Sequence, residues 1–94
     1  MSAIYPVPST VQHISTHAYD KYALLIDDTH PRCVARVAIT RLVQCSQLAT
    51  DVMLRYHHVR IEAEATYRIS ESTAGRYVMV IKRGILVTLF PLDN

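Results

Sequence analysis

Ninety-four residues, half of them hydrophobic and 19% charged, have the balance of one small globular domain and not that of a disordered chain. The net charge of +2 is mildly basic, compatible with a nucleic-acid partner without requiring one. No apolar stretch approaches the length that spans a membrane. With Gly75 and Gly84 as the only glycines, P-loop and dinucleotide-dependent chemistry are excluded.

Residues 1–14 hold Pro6 and Pro8 and show no sustained period, which predicts an extended arm that packs Ile4, Tyr5 or Val7 on the body. Ser15 or Thr16 then serves as the N-cap of a first helix, whose apolar face is Ala18, Tyr22, Leu25 and Ile26. Asp27 to His30 is a polar break, with Thr29 or His30 as the next cap and Pro31 in the first turn of a second helix. That helix is expected from Pro31 to Leu48. Its stripe would be Val34, Val37, Ala38, Arg41 or Leu42, Cys45 and Leu48, with Arg32, Arg36, Thr40, Gln44 and Gln47 on the other side.

From Asp51 the period changes to two. Residues 52–58 read as a further strand or a loop, and Ile61 to Ser70 alternate apolar and polar as a strand does. A turn at Glu71 to Gly75 leads into a strand from Tyr77 to Lys82. Arg83-Gly84 is a tight turn, and Ile85 to Phe90 a last strand closed by Pro91. The expectation is an α+β fold, with two N-terminal helices packed on a three- to four-stranded antiparallel sheet. It forms a single domain over 1–94, with an arm at 1–14, the helices at 15–48 and the sheet at 51–91.

Six Tyr against one Phe and no Trp supply apolar rings that also carry a hydroxyl, and eight of the ten cationic residues are Arg, suited to bidentate phosphate contact. Cys33 and Cys45 lie twelve residues apart in one expected helix, hence roughly 18 Å apart and beyond disulfide reach. With no disulfide in reach and no basic region followed by an apolar run at the N-terminus, a soluble protein of the reducing cytoplasm is expected.

His17 and Lys21 share a helix face at i and i+4, pairing a general acid or base with a fixed cation; the plainer account is a solvated polar face. Arg55, Arg60, Arg68, Arg76 and Arg83 arrive at intervals that can place several on one sheet surface. Arg68 stands out because Glu62, Glu64 and Thr66 make its strand face polar, though an open antiparallel face alternates in the same way without any function. His57-His58, adjacent in a strand or loop, would point in opposite directions, with one reaching a site on the sheet. Five His lack a Cys or carboxylate at a familiar ligand spacing, so no metal and no cofactor is expected. Tyr56 or Tyr67 could stack on a base, or pack in the core or at an interface.

Three segments together carry a resemblance. "THAYDKY" at 16–22 resembles the His-Ala-x-x-Arg-Tyr opening of small phage and bacterial proteins, "RYVMVIKRGILVTLFP" at 76–91 is similar to their closing hairpin, and the expected amphipathic helix lies between them, which implies the cytoplasm of a bacterial host cell. These in turn look like the barnase–EndoU–colicin–RelE group of metal-independent ribonucleases and toxins, over about residues 13–91. The resemblance implies N-terminal helices on a four-stranded antiparallel sheet. It makes His17 a catalytic acid or base, Lys21 the matching helix cation, Arg68 a strand phosphate clamp and Thr88 a hydroxyl on the scissile phosphate. Arg55, His57 and Arg83 would then contact the nucleic acid. Lys21 departs from the commoner Arg of that pattern, keeping the charge and losing bidentate contact. RNA, a cognate inhibitor or host protein, and a homo-oligomer are the expected partners, with no membrane. The alternative from another class is a non-catalytic interaction protein that uses the same fold to bind a host protein, a defence complex or nucleic acid.

Overall fold

The computed structural model describes residues 11–72 and 75–92. The arm before Val11 and part of the turn at 71–75 lie outside the described residues. In chain order the elements are β1 (His13–Ile14), α1 (Thr16–Leu25), α2 (Arg32–Gln44), β2 (Gln47–Leu48), α3 (Asp51–Tyr56), β3 (Thr66–Ser72), β4 (Gly75–Lys82) and β5 (Ile85–Pro91). The fold is α+β. The sheet has five strands in the order β1-β5-β4-β3-β2, antiparallel except for the parallel β1–β5 pair, where three or four antiparallel strands were expected.

β4 is central and buried on both faces, which is why Tyr77 to Ile81 runs apolar without alternation. Tyr77, Met79 and Ile81 meet Ala18 and Tyr22 of α1 and Ala35, Ile39 and Val43 of α2. On the opposite face Val78 and Val80 join Tyr67, Ile69, Leu54 and Leu92 in a second cluster. Both faces of the sheet are therefore covered, one by α1 and α2 and the other by α3 and the segment that follows it, and the Arg68 face expected to be open lies on the α1–α2 side.

α1 begins where a cap is available. The Ser15 hydroxyl accepts from the Ala18 N–H at 3.0 Å and donates to the Val87 carbonyl at 2.7 Å, tying the helix start to β5. Val87 is the extra residue of a β-bulge: Val80 pairs with Thr88 but Ile81 pairs with Leu86. The bulge puts Leu86 and Leu89, three residues apart, into the same cluster, while Phe90 joins the other one. Arg83 and Gly84 both have positive φ, 53° and 78°, as a two-residue type I′ hairpin requires.

α2 differs from its expected form in length and in rotation. Pro31 is its N-cap, without a side-chain cap bond, while Thr29 turns back to Asp27. It ends at Gln44, and its buried row is Ala35, Ile39 and Val43 with Ala38 and Leu42 half-buried; Val34, Val37, Cys45 and Leu48 are exposed. Apolar residues at 34, 35, 37, 38, 39, 42 and 43 leave two rows at helical spacing, and packing against β4 selects the one with the small Ala35. Residues 52–58, read as strand or loop, begin with helix α3, capped by Thr50, whose hydroxyl accepts from Met53 N–H at 3.2 Å. The alternation from Ile61 does not become strand until Thr66, because Glu64 takes a positive φ of 66° and residues 63–64 turn.

Candidate functional site

The end of α3 is built by a left-handed residue. His58 has φ 60°, its N–H donates to Arg55 O at 3.0 Å, and Val59 N–H donates to Leu54 O at 2.8 Å. This pair of bonds is the Schellman arrangement, with His58 in the position usually held by glycine and Val59 packed in the same cluster as Leu54. The reversal allows two consecutive histidines to line one concavity, where a strand would have sent them to opposite faces.

That concavity has a volume of about 400 Å³, within the range of small-ligand sites. Its apolar wall includes Val59, Val80, Phe90 and Leu92; its polar groups are His57, His58, Arg60, Glu62, Lys82 and Thr88. Tyr67 fastens one rim. Its phenol accepts from Glu62 N–H at 2.8 Å and donates to Arg60 O at 3.0 Å, holding 60–62 over β3. Lys82 pairs with Glu62 across the site. The Lys82 hydrogen bond holds the Glu62 carboxyl below its ordinary value, with Arg60 adding to the effect, and Glu62 in turn raises the Lys82 ammonium. Arg60 and Lys82 against Glu62 leave a formal surplus of positive charge at neutral pH, before either imidazole is counted. Thr88 Oγ1 has a contact of 3.5 Å to Leu89 O, at the limit of a hydrogen bond, so its hydroxyl retains donor and acceptor capacity. Two imidazoles, two cations and a hydroxyl around an apolar wall suit an anion attached to a flat apolar group.

The residues singled out from the sequence are distributed as follows. Thr88 and His57 meet in this concavity. His17 is exposed and Lys21 half-buried on α1, a helix that packs Ala18 and Tyr22 on the opposite sheet face. Arg68 faces that opposite side as well, since Tyr67 and Ile69 beside it point into the α3 cluster. Its Nε donates to Ser46 Oγ and its Nη2 to Ser46 O, both at 2.7 Å, and Ser46 Oγ donates to Val43 O. Arg68 thus clamps the C-terminus of α2, where a cation is also favoured by the helix dipole. Arg83, on the hairpin turn, pairs with Glu64 at 3.2 Å, and Arg55 is exposed in the last turn of α3. Neither lines the concavity.

Lys82 was not singled out from the sequence, whereas His58 was named only as one of an adjacent pair and Arg60 only as one of five Arg. A histidine in the glycine position of a helix end leaves no compositional signal, and Lys82 acquires its place only through β4–β5 pairing. Among the described residues, no group of three or more His, Cys, Asp or Glu side chains is arranged to hold a metal ion, and Cys33 and Cys45 are free and exposed. No helix among the described residues is long and apolar enough to cross a membrane. Comparisons of the chain with protein-family models, with curated proteins and with solved structures each return no match.

Proposed function

We propose that the protein binds RNA in the concavity between the end of α3 and the β4–β5 hairpin, and cleaves it there by metal-independent transesterification. The observation that carries this reading is the convergence of His57, His58, Arg60, Lys82 and Thr88 on one apolar-walled site. Arg60 and Lys82 offset the phosphodiester charge, and the Thr88 hydroxyl donates to a non-bridging oxygen. Phe90 and Val59 give a base an apolar surface to lie on. One imidazole takes the proton of the 2′-hydroxyl as its oxygen attacks phosphorus. The bond from phosphorus to the 5′-oxygen breaks, and the other imidazole, in its protonated form, supplies the proton to that oxygen. The products are a 2′,3′-cyclic phosphate and a 5′-hydroxyl. His17, Lys21 and Arg68 have no part in this version of the reaction.

The test is incubation of single-stranded RNA with the protein in chelator, with end-group analysis of the fragments. His58→Gly suits the left-handed backbone and removes only the imidazole, so it should retain the fold and lose at least 100-fold in rate, on the order of a single acid–base group. RNA bound but not cut by wild type would eliminate the cleavage step, and RNA neither bound nor cut would eliminate the whole reading.

A second reading, a non-catalytic interaction protein, is favoured by one different observation. Leu48, Val52, Met53 and Tyr56 are large apolar residues exposed on α3 and the β2 edge. A partner protein or a second copy covering them would slow their exchange or labelling in cells. Purified protein that sediments as a monomer and recovers no partner would count against it.

A further inference from the structure

The exposed surface of α2 carries a second, separate set of cations, Arg32 and Arg36 beside its buried row and Arg41 about half a turn from Arg32. α2 contains Arg32, Arg36 and Arg41 and no acidic residue. All three are exposed, and among the described residues none is in an ion pair. A concavity of about 440 Å³ between β1, α1 and α2 is lined by Arg32 and Arg36 with His13, Thr16 and Thr40. A shallower one of about 230 Å³ continues along the helix, lined by Arg36, Thr40 and Arg41. The two share Arg36 and Thr40, so they form one track. No carboxylate lines either cavity among the described residues, and residues 1–10 contain no Asp or Glu. Arg32 lies over the Tyr19 ring, 4.2 Å from its centroid, which orients its guanidinium plane and leaves the N–H edge for a ligand.

From these observations we infer that the exposed face of α2 binds the sugar–phosphate backbone of a nucleic acid, independently of the concavity on the other side of the sheet. Guanidinium forks present paired N–H donors to phosphate oxygens, and the Thr16 and Thr40 hydroxyls add single donors of the kind that accompany backbone contacts. Arg32 to Arg41 spans nine residues, a rise of roughly 13 Å and a rotation of about half a turn around the helix, with Arg36 between them in both concavities, so a strand following the three would cross the helix obliquely. Backbone contact of this kind is insensitive to sequence and strongly sensitive to salt. The track lies on the α1–α2 side of the sheet, whereas His57, Lys82 and Thr88 line a concavity on the α3 side. The inference therefore stands whether or not the proposed ribonuclease site is correct.

The experiment measures binding of a fluorescent 20-nucleotide oligo(U) by anisotropy across a salt series. The combined variant Arg32→Gln, Arg36→Gln, Arg41→Gln is expected to bind roughly tenfold more weakly near 0.1 M salt. It should also lose about 2 from the slope of log affinity against log salt, three single-strand phosphate contacts. The corresponding Lys variant should keep most of that slope, because charge is retained. A His57→Ala, Lys82→Ala variant should leave the share due to α2 intact. Unchanged slope and affinity in the Gln variant would overturn the inference, as would an equal slope loss in the Lys variant. Equal competition by oligoglutamate of matched charge would overturn it in favour of an acidic protein partner. Thermal unfolding within a few degrees of wild type shows that the variants are folded.

Discussion

Among the described residues, three other than glycine have positive φ, and two of them shape the candidate site: His58, which lines it, at 60° and Glu64, beside it in the chain, at 66°. Each turns the chain so that 57–64 caps the sheet face, and each carries the strain of order 1 kcal/mol that a side chain feels in this region. A second residue-level device lies between α1 and α2. The phenol of Tyr22, which is 3% exposed, meets His30 Nδ1 at 3.1 Å, and His30 Nε2 lies 3.3 Å from Asp27 Oδ2. Burial first and Asp27 second push the Tyr22 phenol above its ordinary value. His30→Ala leaves this hydroxyl buried without its partner and should cost about 1–3 kcal/mol, whereas Tyr22→Phe together with His30→Ala should cost less than the sum of the single changes. Urea unfolding of the four proteins measures the coupling, and strict additivity would show that the contact contributes nothing.

At the scale of elements, α1 is held at its start as well as along its buried face. Ser15 caps it and at the same time reads the β-bulge through the Val87 carbonyl. The bulge in turn decides which β5 side chains face the α3 side, Phe90 among them. Ser15→Ala removes both bonds and should destabilise by about 1–2 kcal/mol. For a chain of this size that is a fall in Tm on the order of 4–16 °C, measured by circular dichroism. If Tm is unchanged, the cap is not a stability determinant. The expected cap residue and the apolar row of Ala18 and Tyr22 were legible in "STHAYDKY" because capping and helical period are local properties. The burial of α2 was not, because a helix apolar on several sides offers more than one row, and only its seat on β4 distinguishes Ala35, Ile39 and Val43 from Val34 and Val37.

For the molecule as a whole, the sheet separates two cationic surfaces, one on the α1–α2 side and one on the α3 side. The charge pairs around the latter also give stability a pH dependence. Glu62 has a lowered folded value, chiefly through its hydrogen bond with Lys82, so its contribution is fully present above the ordinary 4.5 and lost as pH falls through the lower folded value. Asp27 acts with the same sign below 3.8, held down by the Thr29 hydroxyl and N–H. Lys82, raised from 10.5, loses its share only in strong base. Glu62→Gln should therefore flatten the decline in denaturant midpoint between about pH 5 and 3 and leave the midpoint's pH dependence near neutrality unchanged. An acid limb as steep as that of wild type would show that the pair is too solvated to count.

What the sequence by itself determined is what local chemistry determines: a capped first helix, a second amphipathic helix, an Arg83-Gly84 hairpin between two β-prone strands, and hence an α+β chain. His57 and Thr88 were also visible as candidate side chains. Their meeting was not, because it depends on a histidine occupying a left-handed helix end and on a bulge that shifts the phase of β5, neither of which leaves a compositional mark. Arg68 shows the converse. Its alternation with Glu62 and Glu64 implied a shared polar face, yet the strand begins only at Thr66, and long-range packing turns the guanidinium to Ser46. Periodicity assigns a residue to a face of its own element. Only tertiary structure assigns that face to solvent, to core or to a ligand, because the choice is made by the elements packed against it.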